Sequence, residues 1–292
     1  MNSKIVVKIF GGLGNQMFQY ACGYALARRY NAQLCLDISA YKVKTHQGFE
    51  IPRFEGFSEE VLSEDEVLGL FGRFFPLKLL LIRKLLPNGR SVFVEKKFGM
   101  YNELPMSGNL MYLMGYWQSA SFFNECAEEL REKFVFKLQN LEKNQPILEK
   151  MKRNNSIAIH VRRGDYVSIK SNQQYHGVCS LEYYNNAIGL MEEKLDSPCF
   201  FIFSDDTEWA NANLDFKGAQ VYLVDVNKGS DSFMDMYMIS QCNHQIIANS
   251  SFSWWGAWLN NHPEKIIVAP EKWFADTSIV SKNIIPEGWI RL

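Results

Sequence analysis

The chain has 292 residues, 47% of them hydrophobic and 22% charged, which is enough apolar material for two globular cores. Its 31 Lys and Arg against 32 Asp and Glu leave a formal net charge of -1, which excludes the basic footprint of a nucleic-acid-binding protein. No leader is read before the first apolar strand and no stretch reaches the roughly 20 apolar residues of a membrane span, so a cytoplasmic protein is expected.

The opening run Lys4–Ile9 reads as a strand and residues 15–29 as a helix, with the glycine turn "GGLGNQ" between them. "AQLCLDI" is a second strand, ending at Asp37. Residues 41–57 read as loop, and Ser63 with Glu66 forms a capping-box pattern that opens a helix. The apolar stretch 71–87 is interleaved with Arg73, Lys78, Arg83 and Lys84, as in a surface or interfacial helix. It packs on its own domain or makes a peripheral contact at the inner membrane face. Residues 109–119 suggest a strand running into an aromatic turn at Tyr116–Trp117, and 120–136 an amphipathic helix. The polar segment 139–155 marks the domain boundary, placing the N-terminal domain at 1–150 and the C-terminal domain at 151–292. Beyond it, short buried strands at 157–161, 199–203, 220–224, 245–248 and 265–268 alternate with helical patterns at 181–195, 208–214, 233–242 and 252–260. That alternation predicts a parallel sheet with right-handed crossovers, which binds ligands beyond the carboxyl ends of its strands.

The six cysteines, at 22, 35, 126, 179, 199 and 242, form no Cys-x-x-Cys pair and read as buried free thiols of a reducing compartment, not as a zinc site.

Polar residues at strand ends carry the chemistry. In "SIAIHVRRGDY", period two puts His160 and Arg162 on one face of the strand. An arginine there can fork two N–H groups onto a phosphate, with Asp165 available to hold a guanidinium. In "NSSFSWWGAWL", Ser250, Ser251 and Ser253 fall at the start of a helix, where hydroxyls and backbone N–H groups form an anion site, while Trp254, Trp255 and Trp258 pack. "FSDD" (203–206) reads as a turn and helix cap, and no Asp-x-Asp metal pattern occurs in the chain. Asp235, near a helix start, either complements the helix dipole or accepts the two donors on the edge of guanine. The opening turn looks like a dinucleotide fingerprint with Asp37 as ribose ligand. However, Met17 replaces the third glycine, which exists to let helix and strand approach closely.

These pieces together resemble the family 11 glycosyltransferases, the α-1,2-fucosyltransferases. "GGLGNQMFQYA", "GYWQSASFF", "HVRRGDY", "YHGVCSLEYY", "FSDD" and "NSSFSWWGAWL" match family segments over nearly the whole chain, with residues 58–108 unplaced. The resemblance implies an α/β protein of GT-B architecture, two Rossmann-like domains facing across a cleft. GDP-β-L-fucose would bind mainly to the C-terminal domain. Fucose would pass with inversion to the 2-hydroxyl of a β-galactoside such as lactose or a lipid-linked glycan, with no metal and no cofactor. It further implies that Gly12, Gly14, Asn15, His160, Arg162, Asp235, Ser250, Ser251 and Phe252 bind the donor. Arg162 would meet the β-phosphate, His160 would lie beside the guanosine and Asp235 would read the guanine. Arg162, Asn15 and Asp165 are the catalytic candidates, with Asp37, Glu50 or His176 as alternative bases. Tyr116, Trp117 and His176 are the acceptor-binding candidates. Transfer to another linkage or acceptor, a GDP-sugar-binding or lectin-like module without turnover, and an NAD(P)-dependent oxidoreductase are the rival readings.

Overall fold

The computed structural model describes residues 3–43, 47–85, 91–98, 103–138, 141–164, 177–276, 279, 281 and 283–292. The chain divides into two compact α/β units, one of residues 1–137 with 282–284, the other of residues 138–281 with 285–292.

The first unit holds a five-stranded parallel sheet of order β3-β2-β1-β5-β4, formed by β1 (Lys4–Lys8), β2 (Gln33–Asp37), β3 (Glu60–Leu62), β4 (Val92–Val94) and β5 (Leu110–Met114). The chain leaves β1 towards β2 and β3, then returns to lay β5 on the other side of β1, so the sheet reverses direction between β1 and β5. Helix α1 (Leu13–Arg29) is buried along most of its length, and Gly23 is where it meets the sheet. A methyl group there would stand 2.4 Å from a Val7 side-chain carbon. Helices α2 (Glu64–Phe71) and α3 (Phe75–Lys84) cover another part of the sheet, burying Val67, Phe75 and Ile82 against Val6, Cys35 and Tyr112. The expected capping box is present, with Ser63 Oγ accepting from Glu66 N–H and the Glu66 carboxylate accepting from Ser63 N–H. The stretch 71–87 is broken at its start: α2 ends at Phe71, Gly72 adopts φ +92°, and among the described residues that follow the helix is Phe75–Lys84.

Two further expectations are corrected. Residues 120–136 form two single 3₁₀ turns and a short α4 (Ala127–Lys133), because the Ser119 hydroxyl accepts from Ser121 N–H and sets a tighter first turn. The unit boundary falls at Lys137/Leu138, not at 150/151. The polar stretch contains α5 (Gln145–Arg153), opened by Pro146, whose Leu148 and Met151 are buried with Phe201 and Ile239 in the second core.

The second unit carries a six-stranded sheet of order β11-β10-β9-β6-β7-β8. Its strands are β6 (Asn155–Val161), β7 (Pro198–Ser204), β8 (Gln220–Val224), β9 (His244–Ile246), β10 (Ile267–Ala269) and β11 (Ile290–Arg291), all paired in parallel. Helices α6 (Leu181–Lys194), α7 (Thr207–Asn213), α8 (Phe233–Gln241) and α9 (Ser251–Trp258) lie between them in sequence. Alternation along the strands feeds two cores. Ile157, Ile159, Val161 and Ile202 pack with Tyr184 and Ile188 of α6, whereas Ala158, Phe201 and Phe203 pack with Met238 and Ile239 of α8. The sheet reverses direction between β6 and β9, which places the ligand crevice of such a sheet beyond the carboxyl ends of those two strands.

Candidate functional site

At that switch point the two clusters read from the sequence come together. His160 is the penultimate residue of β6 and is buried, and its ring centroid lies 5.8 Å from that of Phe252 in the first turn of α9. Burial, with the Arg162 charge beside it, pushes the His160 imidazole down to about 4, so it is neutral at pH 7. Arg162 follows the strand directly. Its Nη1 lies 2.9 Å from Asp205 Oδ2. The register that pairs Val161 with Ser204 is what brings Asp205 to it.

Arg163 is held separately. Its backbone N–H donates to Asp205 Oδ1 at 2.8 Å, its Nε donates to Asp206 Oδ2 at 3.2 Å, and its guanidinium stacks 3.9 Å from the Trp209 ring centroid. Among the described residues, Asp205 and Asp206 are therefore the carboxylates that position the arginine pair. Asp206 also caps α7, accepting from Trp209 N–H. From local sequence these residues read only as a turn and helix cap. Gly164 has no spare room, because a methyl group there would lie 2.9 Å from Asp205 Oδ2.

Ser250 caps α9, its hydroxyl accepting from Phe252 N–H, and Ser253 Oγ donates to Ser250 O. Ser251 opens the helix and is only half-buried. Trp254, Trp255 and Trp258 pack on one another, and Trp254 also packs on Trp289, the structural role expected of them.

Asp235 lies in the first turn of α8. Its Oδ1 accepts from Asn227 Nδ2 at 2.7 Å, and the same Asn227 amide donates to Asn144 Oδ1 at 2.8 Å. Burial pushes the Asp235 carboxyl up from 3.8 to about 7, with the Asn227 hydrogen bond opposing. A buried carboxyl shifted this far from its ordinary value is a functional-site candidate.

In the first unit the glycine turn is built by amides. Gly11 adopts φ +81° and Gly12 caps α1 without a side-chain hydrogen bond. The fully buried Gln16 donates to Gly11 O and Gly48 O, and accepts from Glu50 N–H at 2.8 Å. Gln19 exchanges hydrogen bonds with both backbone groups of Phe10. Gly14 and Asn15 lie in the first turn of α1, and Asn15 Oδ1 accepts from Gln118 Nε2 at 2.6 Å. Glu50 is thereby pinned to this turn. Burial raises its carboxyl above the usual range, against the opposing Arg53 charge and the Leu13 backbone N–H. Two amides three residues apart, directly after glycines in an otherwise apolar helix, were the available sequence signal for Gln16 and Gln19.

Asp37 is 2% exposed. It accepts from Tyr112 Oη at 2.6 Å and Ser39 N–H at 2.9 Å, with Lys8 Nζ 4.0 Å away, which gives it a structural role at the end of β2. Trp117 does not suit acceptor binding, since it is fully buried against Phe122, while Tyr116 beside it is 41% exposed. Glu95 Oε2, which the sequence reading missed, accepts from the backbone N–H groups of both. Asp165 and His176 lie outside the described residues. Among the described residues no group of three or more His, Cys, Asp and Glu is gathered as a metal site would require, and all six cysteines are free. No helix among them is long and apolar enough to cross a membrane.

Two parallel-sheet Rossmann-like units define the GT-B class of glycosyltransferases. The fold matches the fucosyltransferase NodZ from Bradyrhizobium with a TM-score of 0.58 at 15% identity, covering 88% of this chain and 93% of that one. It also matches a mutant of Arabidopsis thaliana FUT1 in complex with GDP, with a TM-score of 0.56 at 14% identity, covering 94% of this chain and 72% of that one. The model of glycosyl transferase family 11 matches residues 94–292, and the chain belongs to that family. It is 35% identical to an α-1,2-colitosyltransferase of Escherichia coli over 99% of both chains. It is 32% identical to the O-antigen biosynthesis glycosyltransferase WbnK of Escherichia coli, over 97% of this chain and 98% of that one. It is therefore a glycosyltransferase.

Proposed function

We propose that the protein transfers L-fucose from GDP-β-L-fucose, with inversion, to the 2-hydroxyl of a terminal β-galactoside. The observation that carries this reading is Arg162, held by Asp205 at the switch point of the second sheet, next to the serine-lined start of α9. In the reaction the bond from the anomeric carbon to the β-phosphate oxygen breaks, and the acceptor oxygen bonds to the opposite face of that carbon. Negative charge builds on the departing phosphate. Arg162 and the N–H groups of α9 are preorganised donors for it, so the chemistry needs no metal. Asp235 reads the N1–H and N2–H₂ edge of guanine, and His160 with Phe252 flanks the nucleoside. Gly12, Gly14 and Asn15 offer backbone and amide to the diphosphate or the sugar.

The acceptor proton needs a base. Glu50 suits the role better than Asp37, because burial raises its carboxyl and its backbone N–H is tied to Gln16 of the glycine turn, whereas Asp37 is committed to Tyr112 and Ser39. Asp165 and His176 remain rivals for it. Tyr116 is the aromatic surface offered to the acceptor.

The likeness to an α-1,2-colitosyltransferase favours a second reading, in which the donor sugar is colitose, L-fucose without its 3-hydroxyl. A GDP-release assay with GDP-fucose and GDP-colitose in parallel, each with lactose, separates the two. A site that hydrogen-bonds the 3-hydroxyl rejects the deoxy sugar by up to ~10⁴–10⁵, and a site without that partner accepts both. Release from neither donor in the presence of β-galactosides overturns the proposal.

A further inference from the structure

The first unit leaves one face of α3 uncovered. Of the fourteen large hydrophobic side chains exposed among the described residues, six lie between positions 70 and 85: Leu70, Phe74, Leu77, Leu80, Leu81 and Leu85. Phe74 is 69%, Leu77 55% and Leu85 77% exposed. Phe75 and Ile82 form the buried stripe of the helix. At 3.6 residues per turn, Phe74, Leu77, Leu81 and Leu85 fall on a second apolar stripe, roughly a third of a turn away. Lys78 and Lys84 flank that stripe on either side, and both are exposed. From Val67 to Val94 the chain carries Arg73, Lys78, Arg83, Lys84 and Arg90 and no Asp or Glu. Of the three acids in the first turn of α2, Glu64 pairs with Lys42 and Glu66 closes the capping box, which leaves Asp65 against the five cations.

We infer that this stripe docks on an anionic lipid surface, lying in the interface with its leucines in the acyl boundary and its cations at the headgroups. An amphipathic helix edged by lysines has that habit. A second copy of the chain is the poorer occupant. A two-fold contact through the stripe would set Lys78 and Lys84 against their own equivalents, with no carboxylate from 67–94 to pair with them. The inference is independent of which sugar the enzyme transfers. It would place the enzyme at the surface where a lipid-linked glycan acceptor resides.

The test is sedimentation of the full chain with vesicles of phosphatidylcholine alone and of phosphatidylcholine mixed with phosphatidylglycerol, at low and high salt. The wild-type chain should bind the mixed vesicles at least tenfold better than the neutral ones, with high salt weakening the difference. Leu77→Glu with Leu81→Glu should abolish binding, and Lys78→Glu with Lys84→Glu should reduce it at least tenfold. Leu223→Glu, at an exposed position in the second unit, should change nothing. Unaltered turnover of a soluble acceptor shows that each variant is folded. Absence of wild-type binding to the anionic vesicles, or binding that survives the leucine substitutions, overturns the inference. So does sedimentation velocity showing a dimer that Leu77→Glu dissolves, with no vesicle binding.

Discussion

Asp235→Asn should make the free protein more stable and the enzyme worse. The Asp235 carboxyl titrates at about 7 in the fold against 3.8 as a free side chain, because burial disfavours its charged form. Between those two values the folded chain holds a proton that the unfolded chain has lost. Stability is therefore highest below the unfolded value and falls as pH rises through the window. An interval of about three pH units corresponds to an upper bound of ~4 kcal/mol at neutral pH and above. An amide has no proton to lose, and its oxygen can still accept from Asn227 Nδ2. Urea unfolding at pH 4.5 and pH 8 should show the variant close to wild type in acid and about 2–4 kcal/mol more stable at pH 8. Calorimetric titration with GDP at pH 8 should show affinity weakened by about ten- to a hundredfold, the loss of one buried charge-assisted partner. The same carboxylate makes wild-type GDP affinity fall by about tenfold per pH unit below 7, a slope the variant lacks. A variant no more stable than wild type at pH 8 would refute the desolvation argument, and unchanged GDP affinity would refute the base-reading role.

Arg162→Ala should lower kcat by about 10²–10³ with folding intact, and Arg162→Lys should recover little of it, because a point charge cannot reproduce the fork. Steady-state kinetics with near wild-type kcat in either variant would remove Arg162 from the reaction. Glu50→Gln should lower kcat by about 10²–10⁴, leave GDP affinity unchanged and remove the acid limb of the pH–rate profile. A retained acid limb would move the base to Asp165 or His176. Trp117→Ala should cost about 3–5 kcal/mol in urea unfolding through the cavity it opens, whereas Tyr116→Ala should raise the acceptor KM with stability little changed. The reverse pattern would restore Trp117 as an acceptor contact.

The second unit was legible because its central strands β6, β7, β9 and β10 are buried on both faces and so read as unbroken apolar runs such as Phe200–Phe203 between helical patterns. The first sheet was half legible. Strands β3 and β4 are three residues each, too short for alternation to show, and they fall within residues 58–108, where the sequence placed no family segment. Strand-end chemistry was readable as residue types but not as partners. Asp205 holds Arg162 only because β6 and β7 are neighbours in register, a long-range fact that the local sequence does not carry. The same limit left Asp37 open until Tyr112, from the far side of β1, was seen to hold it. Trp117 was misread because its neighbour Tyr116 is exposed and local hydropathy does not separate the two.

The linkage and anomeric configuration of the product decide whether the enzyme is an inverting α-1,2-fucosyltransferase. The purified chain is incubated with GDP-β-L-fucose and lactose, and the trisaccharide is examined by NMR. A single new glycosidic bond is expected from C1 of fucose to O2 of galactose, of α configuration and hence inverted from the β-linked donor. A product linked elsewhere, a retained anomeric configuration, or turnover with GDP-colitose alone would contradict that assignment.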